Sequence, residues 1–233
     1  MNTQHKKMVV TDLDGTLLRN DKTISDYSLH IINQFRKRGN LFVIATARPV
    51  RAVKNFMVRC EFDAGIYHNG ALICDKDSKI GGFGIKDPYV VSRKILSVFP
   101  DVCLAVESDD VLYANFDAER LWPGNGFVYS DSFTELKGKT ADKMIVEISS
   151  FDDMERYKEL LPDDLYIQMS ENKIGMIMSK MATKLNGIKL LSELYRIDPD
   201  NIISFGDDYN DIDMLRGCAK GIAVENALEP VKD

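Results

Sequence analysis

Two aspartates separated by one residue, Asp12 and Asp14, directly follow a short apolar segment near the N-terminus. Gly15 comes next and permits a tight turn. An Asp-x-Asp pair alone is explained equally well by an ordinary acidic turn. The longer pattern Asp-Leu-Asp-Gly-Thr-Leu after an apolar strand is much more specific, and it predicts reactive carboxylates at the end of a buried strand.

A second acidic segment lies near the C-terminus, after the apolar residues 202–205. It contains Asp207, Asp208 and Asp211, with the polar Asn210 between the last two. A helix cap explains one or two of these carboxylates. It does not explain three carboxylates within the five positions 207–211, so this segment is a second candidate for chemistry.

Thr46 and Lys184 are the candidate phosphate contacts. Thr46 follows the apolar run 41–45, and a hydroxyl at a strand-to-helix turn suits a phosphate. The commoner role of such a threonine is to cap a helix. Lys184 lies near a predicted helix start, where an ammonium group is unfavourable against the helix dipole. A plain surface lysine is the alternative, since Lys180 and Lys189 lie close by.

The four acidic candidates predict a divalent cation if they share one site. Ligands of open α/β sheets bind at the carboxyl ends of the strands, so we expect these segments to converge. Two like charges about 4 Å apart cost on the order of 4 kcal/mol at an effective dielectric of about 20. A ligand set made only of oxygen favours Mg²⁺, which also takes a phosphate oxygen. This chemistry indicates phosphoryl transfer by the set Asp12, Asp14, Asp207 and Asp211.

Apolar strands alternate with helices at both ends of the chain, which predicts an α/β fold with a mostly parallel sheet covered on both faces. Ser25 is the expected N-cap of the first helix, and Gly39 follows its end. The predicted strands are residues 8–11, 41–45, 65–68, 202–205 and 221–224. The predicted helices are residues 25–38, 49–59, 183–195 and 210–216.

The middle of the chain has a different pattern, typical of an antiparallel α+β module. Its predicted strands are residues 102–107, 111–116, 143–148, 165–169 and 174–178, with a helix over 152–161. This pattern predicts that residues 81–180 form an inserted domain. The two parts of the core domain, residues 1–80 and 181–233, lie on either side of it in the sequence. The segment 122–126 is either a substrate loop or, more commonly for such a sequence, a plain surface turn.

Composition excludes several classes of protein. The 233 residues carry a net charge of −6, which argues against general binding of nucleic acid. The four cysteines form no C-x-x-C pair, which indicates reduced thiols in a cytoplasmic protein rather than disulfides or a zinc site. No apolar run is long enough to span a membrane. We expect a small-molecule partner and a monomer or small homo-oligomer.

Together, these segments resemble the haloacid dehalogenase superfamily, and within it the Cof-type branch of sugar-phosphatase-like enzymes. The resemblance covers nearly the whole chain and implies a Rossmann-like core with an inserted α/β cap. Each motif alone is weak, but their order is specific. The matching segments are residues 12–16, Thr46 within 46–48, residues 69–71, Lys184 within 180–185, residues 206–211 and the tail 221–227.

The resemblance implies a role for each acidic residue. Asp12 resembles the nucleophile that forms an aspartyl-phosphate. Asp14 resembles the general acid and then the base that activates water. The Mg²⁺ ligands of the family correspond to Asp12, the backbone carbonyl of Asp14, and Asp207. Asp211 resembles a supporting carboxylate that holds the metal site or Lys184.

The remaining matches imply how a phosphoryl group is held. Thr46, Lys184 and Asn210 correspond to its contacts, and Lys184 also offsets its charge. Two departures are Ala47, where the family usually has glycine, and Asp208, where it often has glycine. The extra carboxylate of Asp208 is expected to disfavour highly anionic substrates.

The resemblance therefore implies a Mg²⁺-dependent phosphatase of small phosphorylated metabolites, such as sugar phosphates or phosphorylated cofactors. Two alternatives stay open. The same scaffold supports phosphomutases and dehalogenases, although dehalogenases usually lack the second aspartate that Asp14 represents. A non-catalytic binding protein is the other alternative, and it has little support because no matched catalytic position is missing.

Overall fold

The computed structural model describes residues 6–54, 57–76, 78–148, 151–170 and 174–233. The chain divides into two compact units, one formed by Met1–Gly82 with Ala182–Asp233 and the other by Phe83–Met181. Within the described ranges, no helix is both long and apolar enough to cross a membrane.

The strands of the described residues are, in chain order, β1 (Met8–Thr11), β2 (Leu41–Ala45), β3 (Ala64–Tyr67), β4 (Leu72–Asp75), β5 (Ser78–Gly81), β6 (Ile85–Lys86), β7 (Leu104–Ser108), β8 (Val111–Ala114), β9 (Val128–Tyr129), β10 (Thr140–Ala141), β11 (Lys143–Glu147), β12 (Leu165–Ser170), β13 (Ile174–Ser179), β14 (Ile202–Gly206) and β15 (Lys220–Ala223). The α-helices are α1 (Asp26–Lys37), α2 (Val50–Lys54), α3 (Pro88–Val98), α4 (Phe151–Lys158), α5 (Lys184–Tyr195), α6 (Ile212–Gly217) and α7 (Glu229–Lys232).

The first unit contains a seven-stranded sheet in the order β15-β14-β1-β2-β3-β4-β5. The pairs from β15 to β3 are parallel, and β4 and β5 add an antiparallel edge. Strand β1 lies between β2, which follows it in sequence, and β14 from the end of the chain. The direction of strand order therefore reverses at β1, and ligands of α/β sheets bind at such a switch point.

Local signals in the sequence set the helices next to this sheet. The Ser25 side chain accepts a hydrogen bond from the Ser28 backbone N–H and caps α1. Thr183 caps α5 in the same way through the Asn186 backbone N–H. Leu29 and Ile32 of α1 are buried in the hydrophobic core with the sheet residue Ile44. These caps and this packing hold the helices against the sheet.

The second unit contains a six-stranded sheet in the order β12-β13-β11-β7-β8-β9. Its strands pair antiparallel except for β8 and β9. Val91 and Ile95 of α3 and Tyr157 of α4 belong to its main hydrophobic core. The predicted hairpin is present, and Asp109 and Asp110 at its turn have φ of 53° and 61°. Two successive residues with positive φ form a two-residue turn, and the twist of this turn matches the twist of the two strands that it connects.

The predicted α/β class with a mostly parallel core sheet is confirmed. The helix expected over 49–59 does not extend as far as predicted, because α2 is described over Val50–Lys54 and residues 58 and 59 form a turn. Residues 55 and 56 lie outside the described part of the chain. The edge strands β4 and β5 and the helix α3 are additions that the sequence patterns did not predict.

Candidate active site

Asp12 lies at the carboxyl end of β1, where the switch in strand order opens the sheet. It is only 6% exposed. Its backbone N–H donates to the Phe205 carbonyl oxygen at 3.0 Å, so the parallel pairing with β14 continues up to this residue. The sheet therefore fixes the backbone of Asp12 on a rigid element.

Lys184 is buried, with 1% exposure, and it is not a surface lysine. Its Nζ lies 2.6 Å from Asp12 Oδ1 and 2.6 Å from Asp211 Oδ1. It is the first residue of α5, so the helix dipole disfavours its charge there. The two carboxylates supply the compensation, and Lys184 connects the two acidic segments of the sequence.

Asp211 is fully buried, and hydrogen bonds satisfy both of its carboxylate oxygens. Oδ1 accepts from Lys184, while Oδ2 accepts from the backbone N–H of Asp207 at 2.9 Å and of Asp208 at 3.1 Å. A side chain at Gly206 would not fit, since its Cβ would lie 2.5 Å from the Cβ of Asp211. Asp211 therefore organises the turn after β14, as a supporting carboxylate would.

Asp207 points toward the turn that follows Asp12. Its Oδ1 accepts a hydrogen bond of 2.6 Å from the Thr16 hydroxyl. Gly15 has φ of +83°, and a Cβ there would lie 2.1 Å from Asp207 Oδ2. A glycine is thus required at position 15 both for the left-handed backbone and for the close approach of this carboxylate.

Three carboxylates share this space with one ammonium group. One oxygen from each of Asp12, Asp207 and Asp211 lies within 4.8 Å of the others. Burial raises the pKa of Asp12 from 3.8 to about 6, against the opposing effect of Lys184. Burial also raises the pKa of Asp207. The excess of negative charge and the all-oxygen donor set fit a divalent cation such as Mg²⁺.

Asp14 has a different electrostatic environment from Asp12. Its Oδ2 lies 2.5 Å from Arg48 Nε, and its Oδ1 lies 2.8 Å from Arg48 Nη2 and 2.6 Å from Lys22 Nζ. The hydrogen bonds from Arg48, more than those from Lys22, lower the pKa of Asp14 to about 2. Two neighbouring aspartates of one turn therefore have pKa values shifted in opposite directions, which is a frequent property of acid–base sites.

Thr46 and Asn210 are linked through Asn69. Thr46 is buried after β2, its hydroxyl accepts from the Arg48 backbone N–H at 3.1 Å, and its carbonyl accepts from the Asn69 backbone N–H at 3.0 Å. The Asn210 side-chain amide donates to Asn69 Oδ1 at 3.0 Å. The loops after β2, β3 and β14 therefore meet at this edge of the sheet.

All seven predicted site residues lie in the first unit, on segments that follow β1, β2 and β14 or begin α5. Direct contacts join Asp12, Lys184, Asp211 and Asp207, whereas Asp14 belongs to the Arg48 and Lys22 group. The resemblance of segment 69–71 was the only sequence signal for Asn69.

Sequence reasoning missed three contributors to this site. Lys22 and Arg48 pair with Asp14, and the Asn226 side-chain amide donates to the Gly15 carbonyl at 2.8 Å. Arg48 is part of the segment that identified Thr46, so its position was a usable signal. No feature of the sequence pattern around Lys22 marks it as a site residue.

Comparison with known proteins identifies relatives over nearly the whole chain. The profile of a family described as haloacid dehalogenase-like hydrolase matches residues 9–233. The 5-amino-6-(5-phospho-D-ribitylamino)uracil phosphatase YitU of Bacillus subtilis is 26% identical, over 97% of this chain and 88% of the relative. The phosphatase of the same name, YbjI, from Escherichia coli is 25% identical, over 95% of this chain and 86% of the relative.

Among solved structures, a crystal structure from Thermotoga maritima superimposes with a TM-score of 0.84 at 25% sequence identity. It covers 97% of this chain and 89% of the Thermotoga chain. The similarity therefore includes both units of the chain and not the core alone.

Proposed function

The chain belongs to the haloacid dehalogenase-like hydrolase family, and we propose that it is a Mg²⁺-dependent phosphomonoester hydrolase of small phosphorylated metabolites. The observation that carries this proposal is the buried contact of Lys184 with Asp12 and Asp211, beside Asp207, at the switch point of the sheet. This arrangement combines a nucleophile, a cation for the phosphoryl charge and an excess of carboxylates.

Asp12 is the proposed nucleophile. A carboxylate oxygen of Asp12 attacks phosphorus, the bond from phosphorus to the ester oxygen breaks, and an aspartyl-phosphate forms. Lys184 holds the carboxylate in place and offsets negative charge on the transferring group. Water then attacks phosphorus, the bond to Asp12 breaks, and inorganic phosphate leaves.

Asp14 is the proposed proton carrier of both steps. It gives a proton to the departing ester oxygen, and it takes a proton from the attacking water in the second step. Its ion pairs with Arg48 and Lys22 keep it ionised in the free protein. That is the form that accepts a proton, so donation to the ester requires that the negative charge of the bound phosphate ester raise the pKa of Asp14 while the contacts with Arg48 and Lys22 keep its orientation.

The proposed Mg²⁺ ligands are the carboxylates of Asp12 and Asp207 and the backbone carbonyl of Asp14. Asp211 is not assigned as a ligand, because Lys184 and two backbone N–H groups already occupy its oxygens. Bound there, Mg²⁺ would neutralise charge on the phosphoryl oxygens. Thr46 and Asn210, with Lys184, are the proposed contacts of the phosphoryl group.

The proposed substrate class is supported by the names of the two bacterial phosphatases, YitU and YbjI. Both act on a phosphorylated ribityl compound, in which a phosphate ester is attached to a small polyol-bearing metabolite. We propose that this chain hydrolyses phosphate monoesters of that size, including sugar phosphates.

The inserted domain predicted from the sequence, residues 81–180, is proposed as the cap that selects among these substrates. The four free thiols support a cytoplasmic location.

The proposal is tested by phosphate release from p-nitrophenyl phosphate and a panel of metabolite phosphates, with Mg²⁺ or with a chelator. We expect turnover that needs Mg²⁺ and that Asp12→Asn abolishes. Asp213→Asn is the matched control, since Asp213 is an exposed aspartate on α6 of the same unit. Undiminished turnover in Asp12→Asn, or turnover that the chelator leaves unchanged, would refute the mechanism.

A further inference from the structure

We propose that Lys22, together with Arg48, is a positioning residue that orients the Asp14 carboxylate for proton transfer. This inference rests on the proposed function and deepens it. Lys22 acts through Asp14 and is not assigned a contact with the substrate. Nothing in the sequence pattern indicates this role, which comes from the tertiary contacts alone.

The contacts with Arg48 and Lys22 determine the orientation of the Asp14 carboxylate. Arg48 approaches with its Nε and Nη2 atoms, one for each oxygen, at 2.5 and 2.8 Å. Such a fork sets the plane of a carboxylate. Lys22 Nζ adds a second donor to Oδ1 at 2.6 Å. With three donors on two oxygens, the Asp14 side chain has one preferred orientation rather than several.

The turn that carries Lys22 is ordered by its own hydrogen bonds. Arg19 and Thr23 close it, since the Arg19 backbone N–H donates to the Thr23 carbonyl at 2.9 Å. Asp21 accepts from both the backbone N–H and the hydroxyl of Thr23, at 2.9 and 2.6 Å. Lys22 itself has φ of 63°, a left-handed backbone that non-glycine residues rarely adopt.

The same turn is attached to the segment of Asp14. The Leu18 backbone N–H donates to the Leu13 carbonyl at 2.7 Å, and Asp14 forms an isolated bridge with Leu18. Leu18 and Ile24 on either side of the turn are buried in the core of the first unit. The backbone of Lys22 is thus ordered relative to the segment that carries Asp14, and this places the Lys22 side chain within reach of the Asp14 carboxylate.

Stability does not account for this arrangement. The Lys22 and Asp14 side chains are 45% and 36% exposed, and ion pairs of such exposure contribute little to folding. The contacts instead concern the one aspartate that the proposed mechanism uses for proton transfer. We therefore expect loss of Lys22 to reduce kcat and to leave KM and the thermal stability nearly unchanged.

The test compares Lys22→Met, Lys22→Arg and Arg59→Gln in Mg²⁺-dependent hydrolysis. Arg59 is the control, because it forms an exposed ion pair with Asp26 in the same unit at 2.8 Å. General acid–base catalysis contributes on the order of 100-fold or more, so loss of one of its two orienting cations is expected to lower kcat about 10-fold. Lys22→Arg restores most of this loss, and Arg59→Gln behaves as wild type.

Two further readouts separate positioning from a structural role. The loss in Lys22→Met is larger for an alkyl ester such as glycerol phosphate than for p-nitrophenyl phosphate, because the poorer leaving group needs the proton more. In an Asp14→Asn background, Lys22→Met has no additional effect, since Lys22 acts through that carboxylate. Equal losses for both esters, or losses that add in the double variant, contradict the inference.

The failure of this inference is distinguishable from that of the proposed function. Wild-type turnover that Lys22→Met leaves unchanged overturns the role of Lys22 alone. Absence of Mg²⁺-dependent turnover in the wild-type protein across the whole panel overturns the proposed function, and the role of Lys22 with it.

Discussion

Replacing Asp12 with asparagine is expected to stabilise the metal-free protein at neutral pH, although it removes the proposed nucleophile. The reason is that the Asp12 carboxylate is buried beside Asp207 and Asp211, with Lys184 as the ammonium group in contact with it. Asparagine keeps the shape of the side chain and an oxygen that accepts from Lys184. It therefore mimics the neutral acid.

The magnitude follows from the pKa of Asp12. Burial raises this pKa from 3.8 to about 6. Each pH unit of difference between the folded and unfolded pKa corresponds to about 1.4 kcal/mol. The ionised side chain therefore destabilises the folded protein by about 3 kcal/mol at pH 8, and Asp12→Asn is expected to recover about that amount.

The sign of the pH dependence also follows. The folded protein binds the Asp12 proton more tightly than the unfolded chain does, so the contribution of this group to stability falls as pH rises. The difference between Asp12→Asn and wild type is absent below the ordinary pKa of 3.8, grows toward about 6, and is constant above that value.

The assay is denaturation by urea in the presence of a chelator, from pH 4 to pH 8. Fluorescence of Trp122, the single tryptophan, reports on the second unit, so hydrogen exchange in β1 and β14 is needed to follow the unit that contains Asp12. Saturating Mg²⁺ is expected to stabilise the wild type and close most of the gap, since a ligand at 100 times its Kd contributes about 2.7 kcal/mol. A wild type that is more stable than Asp12→Asn at pH 8 without metal, or a difference independent of pH, would refute the reasoning.

Three further changes test other parts of the site. Lys184→Met leaves Asp12 and Asp211 buried without their cation and is expected to reduce the free energy of unfolding by about 3–5 kcal/mol, measured by urea denaturation. Asp207→Asn is expected to weaken Mg²⁺ binding at least about 10-fold, measured by calorimetric titration, while the fold is retained. Gly15→Ala is expected to cost about 1–2 kcal/mol for the left-handed backbone alone and to weaken Mg²⁺ binding as well. Wild-type Mg²⁺ affinity in both of the last two variants would contradict the assigned metal site.

The parallel strands were predictable from the sequence for a specific physical reason. A strand covered by helices on both faces must be apolar along its whole length, as all five buried residues of β2 are. The ends of these runs therefore mark where polar side chains emerge. Asp12, Thr46 and Asp207 follow such runs directly, which is why their segments were assigned to one edge of the sheet.

The helix α3 shows where pattern reasoning failed. Its sequence contains adjacent β-branched residues, which have lower helix propensity than residues such as leucine or alanine. Asp87 at its N-cap has a left-handed backbone and makes no side-chain cap hydrogen bond. Burial of Val91 and Ile95 in the core of the second unit stabilises the helix, and such tertiary packing is not visible in local propensity.

The pairing of charges was equally inaccessible to the sequence. Two acidic residues separated by only one position have different cations, with Lys184 on Asp12 and with Lys22 and Arg48 on Asp14. Lys184 lies 172 residues from its partner, and Arg48 lies 34 residues from its own. No local pattern connects positions so far apart.

The sequence by itself determined the chemical groups, the alternation of strands and helices, and the segments that meet at the carboxyl end of the sheet. The tertiary structure decided which cation contacts each carboxylate, and so why the pKa of Asp12 is raised while that of Asp14 is lowered. The physical reason is that burial and distances of a few ångströms set electrostatic energies. Residue types and their spacing along the chain do not contain those distances.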